Sequence, residues 1–161
     1  GCGHVGTELI KLLKPFRCKL LLNDIKDIHE LCKQSKGKSV SKEEIFANSD
    51  LISLHVPLTK LTENLIQIKT LQQVQKHTII INTSRGKVTK EEDLVRALNE
   101  ETIAGAGLDV FPEEPLLTKS PFFSCPNLVM TTHIGASTKE ASLAMGQGAI
   151  NGIKRGLAPE A

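Results

Sequence analysis

Short apolar runs alternate with helix-like segments along nearly the whole chain of 161 residues. The runs are almost continuously apolar, as expected of parallel strands that are covered on both faces. Strands that alternate with helices predict one α/β domain, over residues 1–161, built on a parallel sheet. Ligands of such sheets bind beyond the carboxyl ends of the strands, so we expect the chemistry there. The predicted strands are residues 20–22, 51–54, 78–81, 103–110 and 128–130.

Helix start and stop signals lie between these runs. Apolar residues at helical spacing begin at Val5 in the first helical segment, which ends before Pro15. Three later segments open with a capping-box pattern, in which a hydroxyl residue is followed three positions later by glutamate. The three predicted boxes are Ser41 with Glu44, Thr89 with Glu92, and Ser137 with Glu140.

The first six residues match the pattern G-x-G-x-x-G, with glycine at Gly1, Gly3 and Gly6. Glycines at these positions permit a tight turn and let backbone amides approach a pyrophosphate. The N-terminus of the helix that follows adds partial positive charge. The pattern alone also describes an ordinary glycine turn, but the helix that follows directly favours a dinucleotide site. We call residues 1–6 the glycine loop.

An acidic residue follows the glycine loop at the distance that a dinucleotide site requires. Asp24 lies 18 residues beyond Gly6, at the end of a predicted strand. A carboxylate there accepts hydrogen bonds from the adenosine ribose and repels a 2′-phosphate, which favours NAD over NADP. Lys26 is the one nearby feature that softens this preference. The structural alternative for Asp24 is a turn or helix cap.

The strand that precedes such a loop in a Rossmann-type, doubly wound sheet is not part of this sequence. That strand is central in the order 3-2-1-4-5-6, so the second and fourth strands lack their common neighbour here. We therefore expect a doubly wound parallel sheet without its first strand, and a chain that is a fragment of a longer protein.

Charge, hydropathy and cysteine spacing exclude several classes of protein. A net charge of +2 gives no electrostatic footprint for nucleic acid or for an anionic membrane surface. The sequence has neither a run of about 18 apolar residues nor a secretory pattern. Its four cysteines form no C-x-x-C pair, so no metal is predicted. We expect a cytoplasmic protein with free thiols and without nucleic acid or membrane as a partner.

Reactive side chains follow the last three predicted strands. Arg85 lies in the segment 82–86, which we call the arginine loop, and a guanidinium there can grip a substrate carboxylate through two parallel hydrogen bonds. An ordinary surface arginine explains the sequence equally well. Residues 109–115, the acidic loop, carry three carboxylates. His133 follows the last strand, and histidine suits the proton donor that ketone reduction by hydride requires near neutral pH.

Together these motifs resemble the NAD-binding domain of the D-isomer-specific 2-hydroxyacid dehydrogenases, in particular the phosphoglycerate dehydrogenase-like branch. The resemblance runs from residue 1 to about residue 155. It implies a Rossmann-type fold, NAD as the cofactor, and a small 2-hydroxy or 2-oxo acid as the substrate. It is carried by the segments 1–6, 55–58, 82–86, 108–115 and 133–138.

The family uses an arginine, a glutamate and a histidine in catalysis, which correspond by motif position to Arg85, Glu114 and His133. Glu114 is preferred to Glu113 because the family's glutamate immediately precedes a proline. The resemblance implies that Arg85 binds the substrate's carboxylate and carbonyl. It implies that His133 is the general acid in reduction and the base in oxidation, and that Glu114 hydrogen-bonds His133 and favours its protonated form.

The resemblance also assigns the contacts to the cofactor. Asp109 would hold the nicotinamide carboxamide, so that one face of the ring meets the substrate. The amides of His4 and Val5 would bind the pyrophosphate, and the backbone around Val56 and Thr83 would line the cofactor. The predicted cofactor-binding set is Gly1, Gly3, His4, Val5, Gly6, Asp24, Val56, Pro57, Thr83, Ser84, Arg85, Asp109, His133 and Gly135, with no metal ligand.

Two departures from the family pattern limit these expectations. Thr132 stands where the family commonly has proline, and the family's substrate domain is absent. The chain alone is therefore expected to be inactive, and phosphohydroxypyruvate, hydroxypyruvate, glyoxylate and pyruvate all stay open as substrates. Family members are usually homodimers. The alternative function is an NAD(H)-binding regulatory module, because some transcriptional corepressors resemble the same family and keep its catalytic residues.

Overall fold

The computed structural model describes residues 1–156, so the last five residues of the predicted domain lie outside the described part. The chain divides into two compact units, residues 1–131 and 132–161. The strands are β1 (Leu21–Leu22), β2 (Lys38–Ser39), β3 (Leu51–Leu54), β4 (Ile79–Asn82), β5 (Gly105–Leu108) and β6 (Leu128–Met130). The helices are α1 (His4–Leu13), α2 (His29–Ser35), α3 (Lys42–Asn48), α4 (Ile68–Leu71), α5 (Glu91–Asn99) and α6 (Lys139–Arg155).

The strands form two parallel sheets in the first unit. One sheet pairs β1 with β2, and the other has the order β3-β4-β5-β6. No ladder joins β1 to β3 within residues 1–156. The prediction of a parallel α/β fold is confirmed. The separation of the two sheets agrees with the expectation that the second and fourth strands of the fold lack their common neighbour here.

The hydrophobic core lies on one face of the four-stranded sheet. Its strand residues include Ile52 and Ile80, which pack with Phe46 of α3 and Leu94 of α5. Because side chains alternate along a strand, the intervening positions point to the other face. There the exposed fractions are 52% for Leu51, 41% for Ile79 and 70% for Val129. The apolar side chains on this face are therefore partly exposed in the described structure, where the apolar pattern led us to expect buried ones.

Strand positions agree with the sequence better than strand lengths do. The predictions for β3 and β6 match in both bounds, and β4 is shifted by one residue toward the carboxyl end. The predicted strand 103–110 is shorter in the structure, where β5 covers Gly105–Leu108. The apolar run outlasts the strand because Val110 and Phe111 are buried in the loop that follows.

Only one of the three predicted capping boxes marks the helix start as expected. The Ser41 side chain accepts a hydrogen bond from the Glu44 N–H and caps α3. The prediction at Thr89 is wrong, because α5 begins at Glu91 and the Thr89 hydroxyl instead accepts from the buried Asn82 side chain. The last start is shifted by one residue, since Thr138, not Ser137, caps α6.

The apolar residues of α1 do not form one buried stripe. Ile10 is buried, whereas Val5 is 64% exposed and Leu12 is 71% exposed. Pro15 lies in a 3-10 turn, residues Lys14–Phe16, that directly continues the helix. Among residues 1–156, we find no helix that combines the length and the apolar character needed to cross a membrane.

Candidate functional site

The glycine loop is wedged between the carboxyl ends of β1 and β3. The nitrogen of Gly1 donates to the carbonyl of Asn23, 2.9 Å away, just beyond β1. A Cβ on Gly1 would lie 2.5 Å from the carbonyl oxygen of His55, just beyond β3. A Cβ on Gly6 would lie 2.4 Å from the oxygen of Gly1. Any side chain at these two positions would collide with backbone, so the turn requires glycine.

The N-terminus of α1 fits the pyrophosphate of a dinucleotide. Gly3 precedes the helix, no side chain caps this end, and the first turn carries no acidic residue. A Cβ on Gly3 would meet nothing within 4 Å, so the loop leaves room on that side. Exposed His4 and Val5 begin the helix. Unpaired amides and the helix dipole at such an end favour an anion.

Asp24 is tied to the glycine loop by its carboxylate. One oxygen accepts a hydrogen bond from the Cys2 N–H at 2.6 Å, and the other accepts from the Lys26 N–H at 2.9 Å. Partial burial raises the pKa of Asp24, but these backbone hydrogen bonds outweigh it and hold the pKa below its ordinary value. The Lys26 contact is the turn-cap alternative. Each oxygen keeps a further acceptor position for a ribose hydroxyl.

The arginine loop is anchored from below by Asn82, the last residue of β4, which has no exposed surface. Its side-chain amide donates to the carbonyl of Arg85 at 2.9 Å and accepts from the N–H of Ser84 at 3.0 Å. The Arg85 side chain is exposed, and its Nη1 donates to the Ser84 carbonyl at 2.7 Å. The guanidinium is thus accessible while its backbone is held by buried groups.

The arginine loop and the acidic loop interlock through backbone. A Cβ on Gly86 would lie 1.9 Å from the carbonyl carbon of Phe111, so glycine is required at this contact. The carboxylate of Glu114 accepts from the N–H of Phe111 at 2.9 Å. Phe111 also contacts Phe122, with ring centroids 5.9 Å apart. Arg85 and Glu114 therefore belong to one locally connected structure.

Asp109 joins β4, β5 and the segment after β6. Its N–H donates to the carbonyl of Asn82 at 3.0 Å, and its carboxylate accepts a hydrogen bond from the Thr131 hydroxyl. The side chain is only 6% exposed. A buried carboxylate needs such partners, because an unpaired charge away from water is costly. Asp109 stands as predicted at the carboxyl edge of the sheet, next to the base of the arginine loop.

The other predicted cofactor-lining residues follow β3 and β4. A Cβ on Gly1 would lie 2.9 Å from the Val56 side chain, which places Val56 beside the glycine loop. Pro57 and Thr83 are exposed, and Ser84 is half-buried. These residues lie at the same edge as the arginine loop, because the ends of parallel strands meet there.

His133 and Gly135 belong to the second unit, residues 132–161. Both are exposed, and His133 has a left-handed backbone with φ of 57°. The turn around them is closed by a hydrogen bond from the Ser137 N–H to the Ile134 carbonyl. Their part in a site shared with Arg85 and Glu114 stays a prediction.

Two residues with structural importance for the site had no role assigned from the sequence. Asn82 and Gly86 lie inside the recognised motif, but only the fold shows the buried amide and the backbone contact. One signal was available for Asn82. It is a polar residue at the end of an apolar strand, and buried polar groups are usually hydrogen-bonded for a structural or functional reason.

Comparison with known proteins gives the family. Residues 1–135 match the sequence model of the "D-isomer specific 2-hydroxyacid dehydrogenase, NAD binding domain". The chain is 41% identical to a glyoxylate reductase of Thermococcus litoralis over 91% of its own length and 44% of that protein. It is 38% identical to a D-3-phosphoglycerate dehydrogenase of Synechocystis over 89% of its length and 26% of that protein.

A solved structure agrees with this match. The chain superposes on the NAD-complexed D-isomer specific 2-hydroxyacid dehydrogenase of Lactobacillus delbrueckii ssp. bulgaricus with a TM-score of 0.85 and 26% identity. The alignment covers 99% of this chain and 53% of that one. The chain thus spans about half the length of such relatives, or less.

These matches confirm the predicted resemblance, the Rossmann-type fold and NAD as the cofactor of this kind of domain. They agree with the geometry of the glycine loop and of the uncapped N-terminus of α1, which have the shape and polarity to bind a pyrophosphate. The chain therefore belongs to the D-isomer specific 2-hydroxyacid dehydrogenase family and corresponds to its NAD binding domain.

Proposed function

We propose that this chain is the cofactor-binding part of a longer dehydrogenase, which interconverts a 2-hydroxy acid and the corresponding 2-oxo acid. The observation that carries the proposal is the interlocked pair of loops that presents Arg85 beside Asp109, at the same sheet edge as the glycine loop. NAD, when bound, would supply the acceptor for the hydride that leaves C2 of the hydroxy acid, and NADH would supply the hydride for the reverse reaction. The residues of the chain bind, orient and exchange protons.

Arg85 binds the carboxylate and the carbonyl oxygen of the acid. Its guanidinium is exposed and, within residues 1–156, donates to the neutral carbonyl oxygen of Ser84, which an anionic carboxylate displaces readily. His133 donates a proton to the substrate oxygen during reduction and removes it during oxidation. Glu114 orients His133 and stabilises its protonated form. Asp109 holds the cofactor's carboxamide.

Asp24 and the glycine loop select and hold the adenosine half of NAD. Asp24 accepts hydrogen bonds from the ribose hydroxyls and repels a 2′-phosphate, so NAD is preferred to NADP. Replacing Asp24 with alanine is expected to weaken NADH binding and to reduce the preference over NADPH. If the ratio of the two dissociation constants stays unchanged, the ribose assignment is wrong.

The substrate is a small 2-oxo acid. Relatives named glyoxylate reductase and D-3-phosphoglycerate dehydrogenase favour glyoxylate and phosphohydroxypyruvate as the first acids to screen. We further propose that the whole of residues 1–161 belongs to this one domain, and that the intact protein is a homodimer. Light scattering on the intact protein measures the second point directly.

Cofactor binding is tested by titrating NADH into the purified chain and following the cofactor's own fluorescence. The chain contains no tryptophan or tyrosine, so the protein background is small. Saturable binding that NAD competes away supports the cofactor site. Absence of binding to the chain, together with binding to a longer protein that carries it, assigns the site to the longer unit.

Catalysis is tested in that longer protein with His133→Ala. General acid–base catalysis is typically worth about 10²–10⁴-fold, so the rate of 2-oxo acid reduction should fall by that factor. NADH affinity should change far less, because the histidine acts on the substrate oxygen. An unchanged rate removes His133 from the mechanism. NADH binding without turnover of any 2-oxo acid would instead identify the regulatory module.

A further inference from the structure

Asn82 is a fully buried amide at the end of an otherwise apolar strand. Its Oδ1 accepts from the N–H of Ser84 at 3.0 Å and from the hydroxyl of Ser84 at 2.9 Å. Its Nδ2 donates to the carbonyl of Arg85 at 2.9 Å and to the hydroxyl of Thr89 at 3.2 Å. An amide offers two acceptor positions and two N–H groups, so all four are used.

The partners determine which way the amide points. A backbone N–H can only donate and a backbone carbonyl can only accept, so the oxygen must face Ser84 and the nitrogen must face Arg85. An ionised aspartate has the same shape but no donor, and it would set an oxygen against the Arg85 carbonyl. The site therefore requires both halves of an amide.

These bonds act on the backbone from which the arginine side chain projects. Asn82 holds the N–H of Ser84 on one side and the carbonyl of Arg85 on the other, while the guanidinium itself is exposed. The main-chain carbonyl of Asn82 also accepts from the N–H of Asp109 at 3.0 Å. One buried residue thereby fixes Arg85 relative to Asp109. A charged group that is held in place before the substrate arrives loses less entropy on binding it.

We propose that Asn82 is a positioning residue whose amide sets the direction of Arg85 toward the substrate carboxylate. The inference rests on the proposed function, which assigns Arg85 to the 2-oxo acid. Without the amide, Arg85 keeps its charge but samples other directions, so the KM for the acid rises. NADH binding is affected much less, because the glycine loop is anchored by Asn23 and His55, and because the bond to Asp109 is made by the main chain of Asn82, which the substitution keeps.

The test is a double-mutant cycle in the longer protein that carries this chain, with glyoxylate and NADH. Asn82→Ala should raise the KM for glyoxylate by about 10-fold and change the dissociation constant of NADH by less than about 2-fold. In an Arg85→Ala background, the same change should alter the KM by less than about 2-fold, because the group being positioned is gone.

Thr78→Val is the matched control. Thr78 is equally buried, adjoins the other end of β4, and donates its hydroxyl to the Ser49 carbonyl at 2.8 Å. The Thr78→Val substitution removes the hydrogen bond of a buried side chain next to the same strand. Thr78 itself lies at the opposite end of β4 from the arginine loop. Its KM for glyoxylate should equal that of the wild type even where its thermal stability falls.

Asn82→Asp decides the question where the alanine variant does not fold. Only a protonated aspartate can donate to the Arg85 carbonyl. The KM of the Asn82→Asp variant for glyoxylate should therefore approach the wild-type KM as the pH is lowered, when the two proteins are compared at each pH. An equal KM increase with and without Arg85, or a parallel loss of NADH affinity, shows a merely structural residue and overturns the inference. A wild-type protein that binds NADH but reduces no 2-oxo acid overturns the proposed function, and this inference with it.

Discussion

The arginine loop and the glycine loop carry different parts of the proposed site, and they are held by different means. The arginine loop rests on a side chain without exposed surface, Asn82, and on the backbone contact of Gly86 with the acidic loop. The glycine loop rests on contacts with Asn23 and His55, beside a sheet of only two residues per strand. The first loop is tied to the core, and the second lies at its margin.

This difference matches what each loop is proposed to bind. Two-pronged recognition of a carboxylate depends on the direction of one guanidinium, so its support has to be rigid. A pyrophosphate is bound by several amides and a helix end together, each of which contributes part of the attraction. The proposed substrate end of the site is therefore built into the folded core, whereas we expect the proposed cofactor end to gain stability from its ligand through linkage.

The largest effect expected from this comparison comes from alanine at one crowded glycine in each loop, Gly86 and Gly6. Gly86→Ala puts a Cβ 1.9 Å from the backbone of Phe111, next to the core, where the packed neighbouring residues cannot move apart to make room. We expect the free energy of unfolding to fall by more than about 3 kcal/mol, above the usual cost of overpacking. Gly6→Ala would set its Cβ 2.4 Å from the backbone oxygen of half-buried Gly1, a less severe clash at the margin of the core, so the loss should be smaller, about 1–2 kcal/mol.

Denaturant unfolding followed by far-ultraviolet circular dichroism measures both losses. Gly107→Ala is the control, because its Cβ would meet only the Ile81 side chain at an ordinary 3.8 Å. Its unfolding free energy should change by less than about 0.5 kcal/mol. Equal losses for Gly86→Ala and Gly6→Ala would show that both loops are equally rigid, against the comparison.

A smaller difference between the two loops is expected from truncation of a side chain beneath each of them. Ile80→Ala removes a side chain with no exposed surface from the four-stranded sheet and should cost about 2–5 kcal/mol. Leu22 in the two-stranded sheet is 7% exposed and lies outside the main core cluster. Leu22→Ala should fall at the lower end of that range, because its surroundings collapse more easily. The control Ile25→Ala, at a residue 91% exposed, should change stability by less than about 0.5 kcal/mol.

The order of these two losses is the test. A larger loss for Leu22→Ala than for Ile80→Ala, measured in the same denaturant titration, would place the stabilising core under the glycine loop. The comparison between the loops would then be reversed.

Sequence patterns predicted the elements that depend on neighbouring residues and missed those that depend on the fold. Four apolar runs lie within one residue of strands, because parallel strands need buried side chains. β2 was missed, since Lys38–Ser39 is polar and pairs with β1 only through backbone. Thr89 has the pattern of a cap, but the hydroxyl is bonded to Asn82, seven residues away. The sequence around Thr89 does not show that Asn82 competes with the helix for this hydroxyl.

The candidate site shows the same division. Motif spacing identified the glycine loop, Asp24, Arg85 and the acidic loop, because the carboxyl ends of parallel strands share one edge. It could not assign a role to Gly86, since the close approach to Phe111 exists only after β4 and β5 pair. Residues predicted to touch a ligand were thus recognisable from motifs, and the residues that hold them in place were not.

The smallest expected effect is a pH dependence at His55, where the glycine loop meets β3. The ring bonds to the Ser53 hydroxyl at 2.9 Å, and burial lowers the pKa of His55 from its ordinary value of 6.5. The unfolded chain therefore takes up this proton at a higher pH than the folded chain. Stability is unaffected well above pH 6.5, begins to fall as the pH drops through that value, and stops falling once folded His55 is also protonated.

His55→Gln should remove this part of the acid destabilisation, as seen by urea unfolding at a series of values from about pH 8 to about pH 5. His29→Gln, at an exposed histidine of α2, is the matched control and should keep the wild-type profile. His55 lies against the glycine loop through its backbone and its Cβ, so its protonation places a charge beside that loop. Identical profiles for wild type and His55→Gln would remove His55 as the residue through which acid loosens the glycine loop.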